Sequence, residues 1–205
     1  MSKPGQGSVE NDTREAIMEA TFRALSKHGY TGLRMRDIGE EMEMTRQVIH
    51  YHYDGKHDLM SHFLEYIIDQ YEGSVEVDEG APPREELDAR IDQCLLGPEF
   101  DDFGHWDRMK VYHELFTHAQ NDAEHRAIFN EHYERIRGSI TEVVEDGIER
   151  GVFREVDAAR MGQLITDIIH AARGRKLSLG QDDAPEQARR SIDEFVLDSL
   201  HVDAE

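Results

Sequence analysis

The sequence predicts an all-α chain in two parts, a head of three short helices at the N-terminus and a larger helical body after it. Three observations carry that prediction. Apolar residues recur at three- and four-residue spacings through the long segments, the period of an amphipathic helix. Breaks rich in glycine, proline or acids separate those segments, over Glu72 to Ala81, at Gly97-Pro98 and at Gly151. Near residue 40, two short helical stretches follow each other across a tight turn, with Gly39 where they would approach most closely.

Residues 1–12 (MSKPGQGSVEND) are polar and glycine-containing, and are expected to form a loose tail. A first helix carries Ile17, Ala20 and Leu25 and ends at Gly29-Tyr30; a second opens at Arg36-Asp37-Ile38. Ile38, Met42, Met44 and Ile49 fit a helix that packs its inner face, turns sharply and hands over to a third. At Gly39 the absence of a β-carbon lets two backbones come close. Thr45 is placed to cap the third helix, because its hydroxyl can accept from the next amides, and Arg46 and Gln47 fall in the exposed first turn. His50-Tyr51-His52-Tyr53 follows, then Lys56. The first turn of such a helix can enter a major groove, and imidazole, phenol and ammonium groups can donate to phosphate oxygens. His50 and His52, two residues apart, cannot share one helix face.

From Thr13 to Leu59, closing with Tyr53-x-x-Lys56-x-x-Leu59, the chain resembles a TetR-type transcriptional regulator. The resemblance implies an N-terminal three-helix helix-turn-helix DNA-binding domain over 13–56 and a C-terminal helical ligand-binding and dimerisation domain over 57–205. It puts Arg36, Thr45, Arg46, Gln47, His50, Tyr51, His52 and Lys56 at DNA-touching positions, with Gln47 and Tyr51 as base readers and His52 and Lys56 as phosphate contacts. Three positions depart from the family's habit: Glu43 where the turn usually has glycine, Arg34 where a serine or threonine usually caps, and His50 where a tyrosine usually meets the backbone.

The body reads as helices throughout. A long one runs from His57 to Ser74 with Leu59, Phe63, Ile67 and Tyr71 on one stripe; the next runs from Pro82-Pro83 to Leu96. Others span His105 to Ala119 and Asp122 to Arg150, stopped at Gly151. In the last two, Asp157 to Arg173 and Pro185 to Leu200, apolar stripes point to a dimer interface formed as a four-helix bundle: Met161, Leu164, Ile165, Ile168, Ile169 and Ala172, then Ile192, Phe195 and Val196. The competing reading is that both stripes face their own core. Phe63, Ile67, Trp106, Met109, His113, Phe116, Phe129, His132 and Tyr133 offer apolar walls with a few polar groups, as a pocket for a small-molecule effector needs. An aromatic stripe at this spacing is also what plain core looks like.

Composition bounds the rest. The 205 residues carry 44 acids against 23 bases, a net charge of −21. Arg14 to Lys56 holds seven bases and seven acids, whereas His57 to Glu205 holds 15 bases and 35 acids, so the acid load sits on the body. Lysine-poor, acid-rich helix faces suggest a salt-loving source, because at molar salt the Debye length falls to about 3 Å and self-repulsion is screened. No apolar run is long enough to span a bilayer and no signal-peptide pattern appears, so a cytoplasmic protein is expected. The single cysteine, Cys94, excludes an intramolecular disulfide.

Catalytic and metal-site patterns are not met. His113 to His118 is one residue too long for the HExxH motif, which turns the second imidazole about 140° away from the first. Asp122-x-x-His125 and Asp167-x-x-His170 only imitate the Glu-x-x-His pairs of di-iron bundles. No Gly-x-Ser-x-Gly, Walker loop or dinucleotide fingerprint occurs. The expected protein is therefore no enzyme and has no cofactor or metal. It is a homodimeric, ligand-responsive repressor with a palindromic double-stranded DNA operator and a small-molecule effector as partners; the alternative is a small-molecule or metal-binding helical sensor without operator binding.

Overall fold

The structure, a computed structural model, describes residues 6–42, 46–72, 80–97 and 104–200, and all regular elements among them are helices. They are α1 (Gln6–Gly32), α2 (Met35–Glu41), α3 (Arg46–His52), α4 (Lys56–Glu72), α5 (Pro83–Leu95), α6 (His105–His118), α7 (Ala123–Glu149), α8 (Ala158–Leu179), α9 (Ala184–Ile192) and a last turn, α10 (Asp198–Leu200). A 3₁₀ turn, Ala119–Asn121, joins α6 to α7, and a π-helical turn, Asp193–Leu197, joins α9 to α10. Glu43, Met44 and Thr45, the expected turn and cap, lie outside the described residues.

The chain divides into two compact units, Met1–Gln70 with Lys110–Ile128, and Tyr71–Met109 with Phe129–Glu205. The first therefore takes in most of α4 and the meeting of α6 with α7, beyond the residue 56 at which the sequence closes the head. The reason is visible in α4: Leu59, Met60, Phe63 and Leu64 are fully buried, so this stretch fills a core rather than serving as a bare connector. The helix α1 begins at Gln6, inside the segment the sequence gives to a tail. It is broken at Gly29, whose φ of 65° and ψ of 166° no residue with a side chain adopts at ease.

The second unit is built around Leu87, Ile91 and Leu95 of α5, Ile136, Ile140, Val143 and Val144 of α7, Ile165, Ile169 and Ala172 of α8, and Ile192, Val196, Leu197 and Leu200 at the chain's end. Pro83 opens α5 at its first position, where the missing amide costs nothing. Gly151, at φ 67°, follows the end of α7 as expected from the sequence, and the amides of Val152 and Phe153 turn back onto the Gly147 carbonyl at 2.9 Å. Asp157 caps α8, its carboxylate accepting from the Arg160 amide at 3.1 Å. This helix runs six residues past the predicted Arg173, to Leu179. Polar groups hold that extension: the Lys176 ammonium donates to the Asp182 carbonyl at 3.1 Å, and Arg175 donates to Gln181 and Gln187. Such ends leave no trace in apolar periodicity.

The expected dimer interface changes its composition here. Ile165, Ile169, Ala172, Ile192 and Val196, five of the nine expected interface residues, are buried inside the single chain as its own core, and Met161 and Ile168 pack partly against it. A side chain already out of water has little left to offer a partner. Leu164 and Phe195 remain, 46 % and 68 % exposed.

Candidate nucleic-acid interface

A buried inner face fixes α3. Ile49 is fully buried, and Tyr53, just past the helix, is buried too, its amide donating to the Ile49 carbonyl at 2.9 Å. With that side turned inward, Gln47, His50 and Tyr51 face outward at i, i+3 and i+4, one continuous surface. Tyr51 is 81 % exposed. A phenol ring that far out of the protein buries almost nothing in its own chain. His52 is half-buried, its ring edge-on to Tyr51 at 5.1 Å and tilted against Tyr53 at 6.4 Å, so it parts from His50 as the spacing requires. Arg46 opens the helix, and its side chain lies outside the described residues.

In α2, Ile38 and Gly39 are buried and Arg36 is exposed. The helix has Arg34 at its N-cap, and an arginine has no acceptor to offer the first amides. Asp37 supplies the reciprocal contact: its Oδ2 accepts from the Arg34 amide at 2.9 Å while Oδ1 meets Arg36 Nε at 3.2 Å. Burial works to raise the Asp37 pKa, but the Arg34 amide and the Arg36 guanidinium outweigh it and hold the carboxyl below its ordinary value. The acidic half of a capping box is thus present, three residues downstream, without the hydroxyl half that a serine or threonine at the cap would supply.

The first and fourth helices are tied by a cluster the sequence does not announce. Lys56 Nζ donates to the Tyr30 carbonyl and stands 4.5 Å over the centre of the Tyr30 ring. Glu114, from α6, accepts from the Tyr30 amide at 2.6 Å. Burial pushes the Lys56 pKa down, against the pull of Glu114 and Asp37. An ammonium has three donors, and one of them holds α4 to the end of α1. Glu114 is 84 residues from Tyr30, too far for any local pattern to show.

In the second unit a cavity of about 420 Å³ is lined by Tyr71, Glu72, Arg90, Gln93, Cys94, Arg135, Ile136, Ser139 and Ile140. Glu72 Oε1 takes His132 Nδ1 at 2.9 Å and Arg135 Nε at 3.0 Å. The hydrogen bond from His132 comes first among the causes that hold the Glu72 carboxyl below its ordinary value. Tyr71 and Gln93 clasp each other, the Tyr71 hydroxyl donating to the Gln93 carbonyl at 2.7 Å and Gln93 Nε2 to the Tyr71 carbonyl at 3.0 Å. Behind them the buried Arg173 donates to the Tyr71 hydroxyl at 2.7 Å and to the Cys94 carbonyl at 2.9 Å. Burial raises the Cys94 thiol, which makes it a poor nucleophile.

None of the nine residues the sequence puts in a pocket lines this cavity, though His132 contacts one of its walls through Glu72. Phe63, Ile67, His113 and Phe116 belong to the first unit, and Trp106, Met109, Phe129, His132 and Tyr133 to the second. Phe63, Ile67, Met109 and Phe129 are buried as core, while Phe116 is 45 % exposed. Periodicity identified apolar faces but could not tell a filled face from one beside a void.

Two family models match the chain. Residues 17–63 match bacterial regulatory proteins of the tetR family, and residues 83–201 match the C-terminal part of BetI-type transcriptional repressors. An HTH-type transcriptional repressor of Streptomyces coelicolor is 29 % identical over 145 residues, 70 % of this chain and 68 % of that protein. The HTH-type transcriptional repressor NicS of Pseudomonas putida is 28 % identical over 149 residues, 70 % of this chain and 66 % of its own length. Among solved structures, a TetR transcription regulator of Haloarcula marismortui superposes with a TM-score of 0.85 at 30 % identity, covering 94 % of this chain and all of that one.

Proposed function

The chain belongs to the TetR family of transcriptional regulators, and on that premise we propose that it is a homodimeric repressor released from a palindromic operator by a small molecule. One observation carries the operator reading. Gln47, His50 and Tyr51 form an outward surface on a helix whose opposite side is anchored by Ile49. Gln47 and Tyr51 read bases, and Arg36, Thr45, Arg46, His50, His52 and Lys56 set register on the backbone. Two copies related by a two-fold would place two such helices on half-sites about 34 Å apart or a multiple of it.

The dimer surface we assign is the outer side of α8 and the chain's end, with Leu164 and Phe195 at its centre and Met161 and Ile168 beside them. The effector site is the cavity of the second unit, whose volume suits a small ligand and whose lining mixes isoleucines with Arg90, Arg135, Glu72 and Gln93. An effector acts by preferring one of two conformations, and decisive release needs about 5.5 kcal/mol of that preference. The acidic surface fits work in concentrated salt, where phosphate neutralisation contributes little to affinity and base contacts must carry more of it.

Genomic fragments retained by the protein in molar potassium chloride, sequenced for a shared palindrome, test this reading. Tyr51→Ala should lose the palindrome while remaining dimeric; retention at wild-type concentration would show that α3 is not the reading helix. No enriched fragment at any salt, from folded protein, would leave a sensor without an operator.

A further inference from the structure

Where α6 gives way to α7, three ligand-type side chains meet inside the first unit. Nitrogen and oxygen atoms of His57, Asp122 and His125 all lie within 4.8 Å of one another. His57 Nε2 stands 2.8 Å from Asp122 Oδ2, and His125 Nδ1 stands 3.6 Å from the same oxygen. The two imidazoles are nearly parallel, 4° apart with ring centres at 5.2 Å. Asp122 divides its work: Oδ1 accepts from the amides of Glu124 and His125, at 3.0 and 3.1 Å, while Oδ2 faces the rings. Its carboxylate is therefore held in orientation by the backbone before any ligand arrives.

The telling residue is His125. It is fully buried, yet neither of its ring nitrogens has a hydrogen-bond partner among the described residues. Asp122 Oδ2, at 3.6 Å from its Nδ1, is too distant for a hydrogen bond. A neutral imidazole carries one donor and one acceptor, and burying both unmet is unfavourable. A cation between His125, His57 and Asp122 would satisfy the acceptor. Ligands of a tetrahedral ion bound at about 2.0 to 2.1 Å lie roughly 3.4 Å apart. The two pairs that share Asp122 Oδ2, at 2.8 and 3.6 Å, lie on either side of that value, and the two imidazole nitrogens are within 4.8 Å of each other. Two imidazoles and one carboxylate favour zinc, nickel or cobalt over magnesium or calcium, which seek oxygen alone. Glu124, whose Oε2 is 4.0 Å from His57 Nδ1, is a second carboxylate within reach.

We propose that His57, Asp122 and His125 form a binding site for one divalent transition-metal ion, with a fourth position left to water or Glu124. The ion would join the first turn of α4 to the first turn of α7, beside Tyr30, whose ring lies 6.4 Å from that of His125. Asp122-x-x-His125 by itself is an incomplete ligand set, and the sequence accordingly predicts no metal; His57, 65 residues upstream of Asp122, completes it only in the fold. The site stands whether or not the protein binds an operator.

The test uses the full chain, stripped with a chelator and held in molar potassium chloride with excess magnesium to saturate surface carboxylates. Cobalt(II) is titrated in and its visible spectrum followed, then displaced with zinc. The expected result is one cobalt per chain with a nitrogen-ligand spectrum. His57→Ala, at a half-exposed position, and Asp122→Asn, which keeps a capping oxygen, should each weaken binding at least about tenfold without altering the circular dichroism of the metal-free protein. Absence of cobalt binding in the wild type, or equal affinity and spectrum in the wild type and both variants, would overturn the proposal.

Discussion

Gly29→Ala should destabilise this protein, and its cost can be worked from two sources. The backbone at Gly29 sits at φ 65°, ψ 166°, a region nearly confined to glycine, and holding alanine there costs about 1 to 3 kcal/mol. A β-carbon would also lie 2.9 Å from Glu114 Oε1, the oxygen that accepts from the Tyr30 amide at 2.6 Å. That carboxylate is the end of a flexible chain, so it would swing aside and give up part of a charged hydrogen bond worth about 1.5 to 3 kcal/mol. Together the loss should be about 2 to 5 kcal/mol, a fall in Tm of roughly 5 to 15 °C for a chain of this size. Thermal melts at fixed salt and protomer concentration measure it. A double-mutant cycle with Glu114→Ala separates the two parts, because without the carboxylate only the backbone cost remains, leaving a coupling of about 1 kcal/mol or more. A fall under about 2 °C would refute the backbone argument, and strict additivity would refute the Glu114 contact.

Other outcomes follow from the same structure. Burial, reinforced by the Arg173 guanidinium, pushes the His105 pKa down to about 4, so the stability His105 contributes is full above about 6.5 and is lost as pH falls toward 4. That loss is on the order of 3 kcal/mol. In chemical denaturation at pH 7 and 4.5, His105→Leu should flatten this part of the pH dependence, and parallel curves for variant and wild type would contradict it. Leu164→Glu with Phe195→Glu should shift the protein toward monomer in sedimentation velocity while leaving its helix content unchanged; an unaltered sedimentation coefficient would remove the proposed dimer surface. Since Arg14 to Lys56 nets to zero charge, the logarithm of operator affinity should fall gently with that of salt, and a slope near −10 would contradict this.

The sequence by itself determined the all-helical class, the order of the helices and the face that α3 presents outward, because each rests on local regularities. Apolar spacing sets which side of Ile49 is inward, and glycine and proline set where α5 opens and α7 stops. Tertiary structure decided everything that depends on residues far apart along the chain. Glu114 reaches Tyr30 across 84 residues, His57 meets Asp122 across 65, and Arg173 holds Tyr71 across 102. The apolar stripe of α8 shows the limit most plainly: spacing groups Leu164 with Ile165, but only packing places Ile165 in the core and leaves Leu164 at the surface. A helix period reports which side chains share a face, whereas burial, cavities and ligand sets depend on what another segment brings to that face.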